Sequence, residues 1–167
     1  WDCRHVVLTG GEPMLFGELL PLAEQLDSRG WHITVETAGT LHLPVLCDLM
    51  SISPKLSGSG PDPAEYPHWS RRHRRERYQV DVLHRLIAEY NYQLKFVVDR
   101  IEELAEIESL LTHFPEVSGE RVLLMPQGTA GDPLQQRATW LAPACHQRGW
   151  TFCPRRQIEW FGPVRGT

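Results

Sequence analysis

Apolar residues in this chain come in two rhythms, short β-branched runs and longer stretches at helical spacing, and the two alternate from end to end. Val6, Val7 and Leu8 read as a buried strand that stops at Thr9. Beyond it Phe16, Leu19, Leu20, Ala23 and Leu26 mark a helix, with Gly30 placed to close it. HITVETAG is a second strand, LPVLCDL a short helix, and MSIS a third strand cut by Pro54 and followed by the flexible KLSGSGPDP. Val80, Leu83, Leu86 and Ile87 mark a helix from about Glu76 to Tyr90, and QLKFVVD the next strand. In IEELAEIESLLTH the spacing turns Ile101, Leu104, Ala105, Leu110 and Leu111 toward a core. RVLLMPQG is a further strand, residues 132 to 148 a last helix, and WTFCPRRQIEWFG a terminal strand pair or extended tail.

Strands alternating with helices imply an α/β fold, a parallel sheet of right-handed βαβ units. Five or six strands are too few for a closed eightfold barrel, which leaves an open sheet or a partial (β/α) barrel in one domain over residues 1–167. Ligands of such sheets collect past the carboxyl ends of the strands. The polar residues gather there: Thr9 to Glu12, Glu36 to Thr40, Ser53 and Lys55, Asp99, and Gln127.

Composition narrows the partners. A formal charge of -4 gives no electrostatic reason to expect nucleic acid. RRHRRER, residues 71–77, runs the other way and reads as a solvated helix start, with a phosphate-bearing partner as the rival. No apolar run reaches the roughly 18 residues of a membrane span, and the opening WDCRHVVL leads straight into a strand with no signal peptide. Cys3, Cys47, Cys145 and Cys153 form no Cys-x-x-Cys pair and no disulfide framework, which fits a reducing cytoplasm. Cys47 and Cys153 sit among apolar neighbours as small hydrophobes, and His113 and His146 read as ordinary helix residues.

The candidate chemistry begins at TGGEP. Gly10 and Gly11 let the backbone approach a ligand and adopt conformations closed to other residues, and Glu12 sets a carboxylate beside exposed backbone groups. That arrangement suits an ammonium group. A phosphate cradle would need the Lys-Ser/Thr of a P-loop or a dinucleotide fingerprint, and an acid in the loop repels an anion; a plain helix start is the remaining alternative. TGGEP after a strand resembles the motif by which radical S-adenosylmethionine enzymes bind the amino group of the methionine moiety. With VETAGT, SISPKLS, DPAEYPHW leading into RRHRRER, YQLKFVVD, LLMPQG and the terminal IEWFGPVRGT, the chain resembles the 7-carboxy-7-deazaguanine synthase family over nearly its whole length.

The resemblance implies a partial (β/α) barrel and a step in queuosine and 7-deazapurine biosynthesis. There, S-adenosylmethionine cleaved at a [4Fe–4S] cluster yields a radical that converts 6-carboxy-5,6,7,8-tetrahydropterin to 7-carboxy-7-deazaguanine with loss of ammonia, assisted by Mg2+. It further implies a cytoplasmic homodimer and an electron donor such as flavodoxin or ferredoxin. By position, Gly10, Gly11 and Glu12 would hold the methionine amino end, Ser53 and Lys55 its ribose and carboxylate region, and Gln127 with Met125 the adenine; Glu36 joins this set, and Thr9 would face the pterin. Bland roles stand beside these: Lys55 as a surface residue, Glu36 bonding the sheet edge or Thr37, Gln127 capping a turn.

Two departures qualify the resemblance. The family draws three cluster cysteines from a loop upstream of TGGEP, where this chain has Cys3 alone. The expectation is a first βα unit missing, HVVLT left as an open sheet edge, and no radical step from the chain by itself. Where the family carries a histidine near its end, this chain has Gln157, which can meet substrate by hydrogen bonds but cannot shuttle a proton. Two other classes stay open: another small radical S-adenosylmethionine enzyme such as a glycyl-radical activase, and a non-catalytic α/β binding module.

Overall fold

Residues 3–162 are described in a computed structural model of the chain. Six strands form one sheet in the order of the sequence: β1 (His5–Leu8), β2 (His32–Thr37), β3 (Leu49–Ile52), β4 (Tyr92–Val98), β5 (Val122–Pro126) and β6 (Thr151–Phe152). The pairings β1–β2, β2–β3, β3–β4 and β5–β6 are all parallel, as the alternation of strand and helix requires. The helices are α1 (Leu19–Asp27), α2 (Pro67–Glu76), α3 (Val80–Glu89), α4 (Glu103–Leu111), α5 (Gly131–Arg148) and α6 (Arg156–Phe161). The terminal PVRGT, the end of the IEWFGPVRGT motif, lies outside the described residues.

The chain divides into two compact units, Trp1–Leu94 and Lys95–Thr167. In the first, Ile33, Val35, Met50 and Ile52 of the strands are buried with Ala23 of α1 and Leu83 and Leu86 of α3. In the second, Phe96, Val98 and Leu124 are buried, as are Leu104 and Ile107 of α4 and Leu141 of α5. Each of these side chains other than Ala23 contributes about 1.5–3 kcal/mol by leaving water.

Several local expectations are corrected. β1 is an edge strand paired with β2 alone, so it is half exposed rather than buried, and Val7 keeps 54% of its surface in solvent. LPVLCDL forms no helix. Pro44 brings no N–H, and Asp48 is tied to β2 by its own N–H to the Ile33 carbonyl (2.9 Å) and by its carboxylate to the Ile33 N–H (2.7 Å), so the segment stays irregular. Phe16 stays outside the first helix, because a 3-10 turn, Pro13–Leu15, precedes α1. The basic run belongs to a separate helix, α2, which starts on Pro67 and ends before α3 begins at Val80.

In α4 the buried face is Glu103, Leu104, Ile107 and Leu110; Ile101 precedes the helix and Ala105 lies off that face. Glu103 is buried because its carboxylate accepts the N–H groups of Asp99 and Arg100 and so closes the turn after β4. The terminal segment is the two-residue β6 followed by α6, in place of a strand pair or tail.

Candidate functional site

The end of β1 is fastened to the end of β2 through one carboxylate. Glu12 accepts hydrogen bonds from the Met14 N–H (3.2 Å), the Thr37 hydroxyl (2.9 and 3.0 Å to its two oxygens) and the Ala38 N–H (2.8 Å). Thr37 is buried, and its Oγ1 accepts in turn from the Gly39 N–H (3.1 Å). Three donors hold the carboxylate, and two oxygens with about four lone-pair positions leave room for an ammonium besides. Gly39 makes the turn possible. Its φ is +73°, and an added Cβ would stand 2.5 Å from Leu83 Cδ2 and 2.9 Å from Ile52 Cγ2.

Gly10 and Gly11 do not carry that conformational demand: neither has positive φ, and a Cβ at either would meet nothing within 4 Å. What they contribute is open space before the strand end. Beside them the Thr9 hydroxyl reaches Glu36 Oε2 (3.4 Å), and the Lys55 ammonium donates to the Ser53 hydroxyl (3.3 Å). Ser53 is fixed by its N–H to the Thr37 carbonyl (2.7 Å).

Glu12 and Lys55 line one cavity of about 920 Å3, together with Leu15 and Leu41 and with Tyr66, Trp69 and Arg72 at and on α2. An acid and an amine in a cavity that also presents apolar and aromatic side chains can take a zwitterionic head and a flat body. The spacing Tyr66, Trp69, His73, Glu76 puts this wall on one helix face, a signal hidden in the sequence by the arginines around it. Thr37 is the other residue that sequence reasoning missed. The VETAG stretch was its only signal.

Gln127 and Gln157 lie in the second unit. Gln127 is exposed just past β5, with its N–H on the Val98 carbonyl (2.8 Å), and Gln157 is exposed on α6. Near them a cavity of about 680 Å3 is lined by Pro126, Leu134, Phe152, Arg155 and Ile158, and by neither glutamine. Burial pushes the Arg155 guanidinium below its ordinary range, and its Nε donates to the Pro126 carbonyl (3.0 Å).

The cysteines do not fit an iron–sulfur cluster. They stand before β1, before β3, on α5 and after β6, and burial pushes the thiols of Cys47 and Cys145 up to about 11, away from the thiolate a cluster needs. Among the described residues no three His, Cys, Asp or Glu side chains form a group that could hold a metal ion. Nor is any described helix long and apolar enough to cross a membrane.

The fold is a parallel α/β sheet whose strand-end loops set a carboxylate and a lysine on one cavity, the place where ligands of such sheets collect. Comparison with known proteins is more particular. A 7-carboxy-7-deazaguanine synthase of Rhodopirellula baltica is 42% identical over 165 residues, which cover 98% of this chain and 64% of that protein. One from Halobacterium salinarum is 40% identical over 92% of this chain and 63% of its own length. The crystal structure of QueE from Escherichia coli matches with a TM-score of 0.63 at 25% identity, over 93% of this chain and 57% of that one. No family model matches. The chain spans just under two thirds of the length of these curated relatives, and across that span its sequence is similar to theirs.

Proposed function

We propose that this chain supplies the S-adenosylmethionine- and pterin-binding part of a 7-carboxy-7-deazaguanine synthase built on a partial (β/α) barrel. The whole protein would convert 6-carboxy-5,6,7,8-tetrahydropterin to 7-carboxy-7-deazaguanine and ammonia. The observation that carries the reading is the pairing of Glu12 and Lys55 in one cavity. An amino-acid head has an ammonium for the first and a carboxylate for the second. Glu12 enters the task oriented, since Thr37, Ala38 and Met14 hold its carboxylate before any ligand arrives.

Around that pair Gly10 and Gly11 keep the approach clear, Ser53 steadies the lysine, Glu36 adds a polar contact to S-adenosylmethionine, and Thr9 offers one to the pterin. Gln127 and Gln157 present amide groups, suited to the edges of an adenine and of a pterin. A flavodoxin- or ferredoxin-type electron donor, Mg2+ and a homodimer belong to the same reading of the whole protein. The four scattered cysteines give the chain alone a binding role without the radical step.

Calorimetric titration of the chain with S-adenosylhomocysteine tests the binding role. Binding is expected in the wild type, and Glu12→Gln and Lys55→Ala should each weaken it about tenfold or more. No wild-type binding, or binding indifferent to both substitutions, would sink the assignment. Anaerobic incubation with iron, sulfide, S-adenosylmethionine and a reductant should give no 5′-deoxyadenosine from this chain; its formation would overturn the division of labour.

A further inference from the structure

We propose that the cavity-facing side of α2 is the stacking wall for a planar heterocycle that carries a carboxylate, Tyr66 and Trp69 meeting the ring and Arg72 the anion. This rests on the reading of the strand-end cavity as the small-molecule site, and names which molecule α2 receives. Tyr66 and Trp69 are 49% and 56% exposed, a large aromatic surface to leave wet on a helix that buries only Ser70. Both rings face the same cavity as Leu15 and Leu41. Arg72 Cζ sits 5.6 Å from the centre of the Trp69 ring, and its Nε donates to Glu76 (2.7 Å), so the guanidinium is already held beside an aromatic side chain. Its terminal nitrogens have further N–H groups for an incoming carboxylate.

Charge complementarity decides the occupant. The ionic groups on the cavity wall are Lys55, Arg72 and Arg77 against Glu12 and Glu76, and the cations outnumber the acids on the α2 side. The adenine of S-adenosylmethionine is flat but neutral, and its anionic carboxylate lies at the far end of the molecule. A carboxylated pterin combines a flat ring and an anion in one rigid unit, which an aromatic side chain and an arginine one turn apart on a helix can grip together.

The test uses 6-carboxypterin, the oxidised and redox-inert form, and follows its own fluorescence anisotropy on titration with the full chain. Wild-type binding is expected; Trp69→Ala should weaken it about tenfold, and Trp69→Phe, which keeps a ring, by less than about threefold. Arg72→Ala should weaken 6-carboxypterin about tenfold and leave unsubstituted pterin unaffected, a selectivity that general loss of fold cannot imitate. If 6-carboxypterin binds all these variants as tightly as the wild type while Lys55→Ala loses S-adenosylhomocysteine, the α2 wall is overturned and the site reading stands. If S-adenosylhomocysteine, but no pterin, depends on Trp69, the wall serves the adenosyl group and the proposal falls. If neither compound binds the wild type, the proposal and the site reading fall together.

Discussion

The strand-end loops and helix α2 border one cavity and are held in opposite ways. At the strand ends a buried threonine, a carboxylate and three backbone N–H groups close on one another. On α2 the bonds lie at the surface: Arg72 and Arg75 to Glu76, Arg72 over Trp69, and the His73 ring to the Ser59 hydroxyl (3.1 Å). Buried, fully satisfied networks fix geometry, because breaking one strands polar groups away from water. Exposed pairs exchange readily with solvent or ligand. The first region therefore suits holding a head group in one place, and the second suits closing on a ring that arrives.

The largest effect should come from Gly39→Ala. The new methyl meets Leu83 and Ile52 at 2.5 and 2.9 Å on a backbone with φ of +73°, so strain and overpacking add. A loss of about 3 kcal/mol is expected in urea unfolding. Thr37→Val keeps the shape but removes the hydroxyl from Glu12 and the acceptor from the buried Gly39 N–H. About 1–3 kcal/mol should go, together with affinity for S-adenosylhomocysteine. If either variant is as stable as the wild type, the strand ends are not the rigid side of the comparison.

How far this division could be read from the sequence depends on what each residue does. The β-branched runs yielded the first five strands, since Ile33, Val35 and Ile52 are buried for the reason that makes them β-formers, while the two-residue β6 was hidden in what read as a terminal pair or tail. Glu12 and Lys55 were legible as an acid and an amine at strand ends. The demand for glycine was placed on Gly10 and Gly11, whereas it falls on Gly39, because only the packing of Leu83 and Ile52 against that turn creates it. Ile107 was missed since Ile101 drew the helical face two residues too early. The α2 wall was missed because arginines dominate its composition while Tyr66 and Trp69 decide what the cavity presents.

A smaller effect is expected where α2 meets the turn before it. A Cβ on Gly60 would stand 2.7 Å from His73 Nδ1, and the ring must turn aside to admit it. Gly60→Ala should cost about 1 kcal/mol and move Trp69 enough to change its fluorescence while leaving S-adenosylhomocysteine binding intact. If that binding falls as far as in Thr37→Val, the two regions are one mechanical unit and the contrast between them is void.

The smallest effect concerns acid. Hydrogen bonds from Arg75 and then Arg72 hold the Glu76 carboxyl below its ordinary value of 4.5. A depressed folded value means that the unfolded chain takes up the proton first. The contribution is thus present above about pH 4.5 and is lost as pH falls through the folded value. The Glu76 side chain is open to solvent over 39% of its surface, so salt screens the pair, and Glu76→Gln should leave the neutral-pH melting temperature within error of the wild type. The readout is local: Trp69 fluorescence should change with acid below pH 4.5 in the wild type, as Arg72 loses its anchor, and stay flat there in Glu76→Gln. An identical acid response in both proteins would show that Glu76 does not set the position of Arg72, and the adaptable side of the cavity would need another hinge.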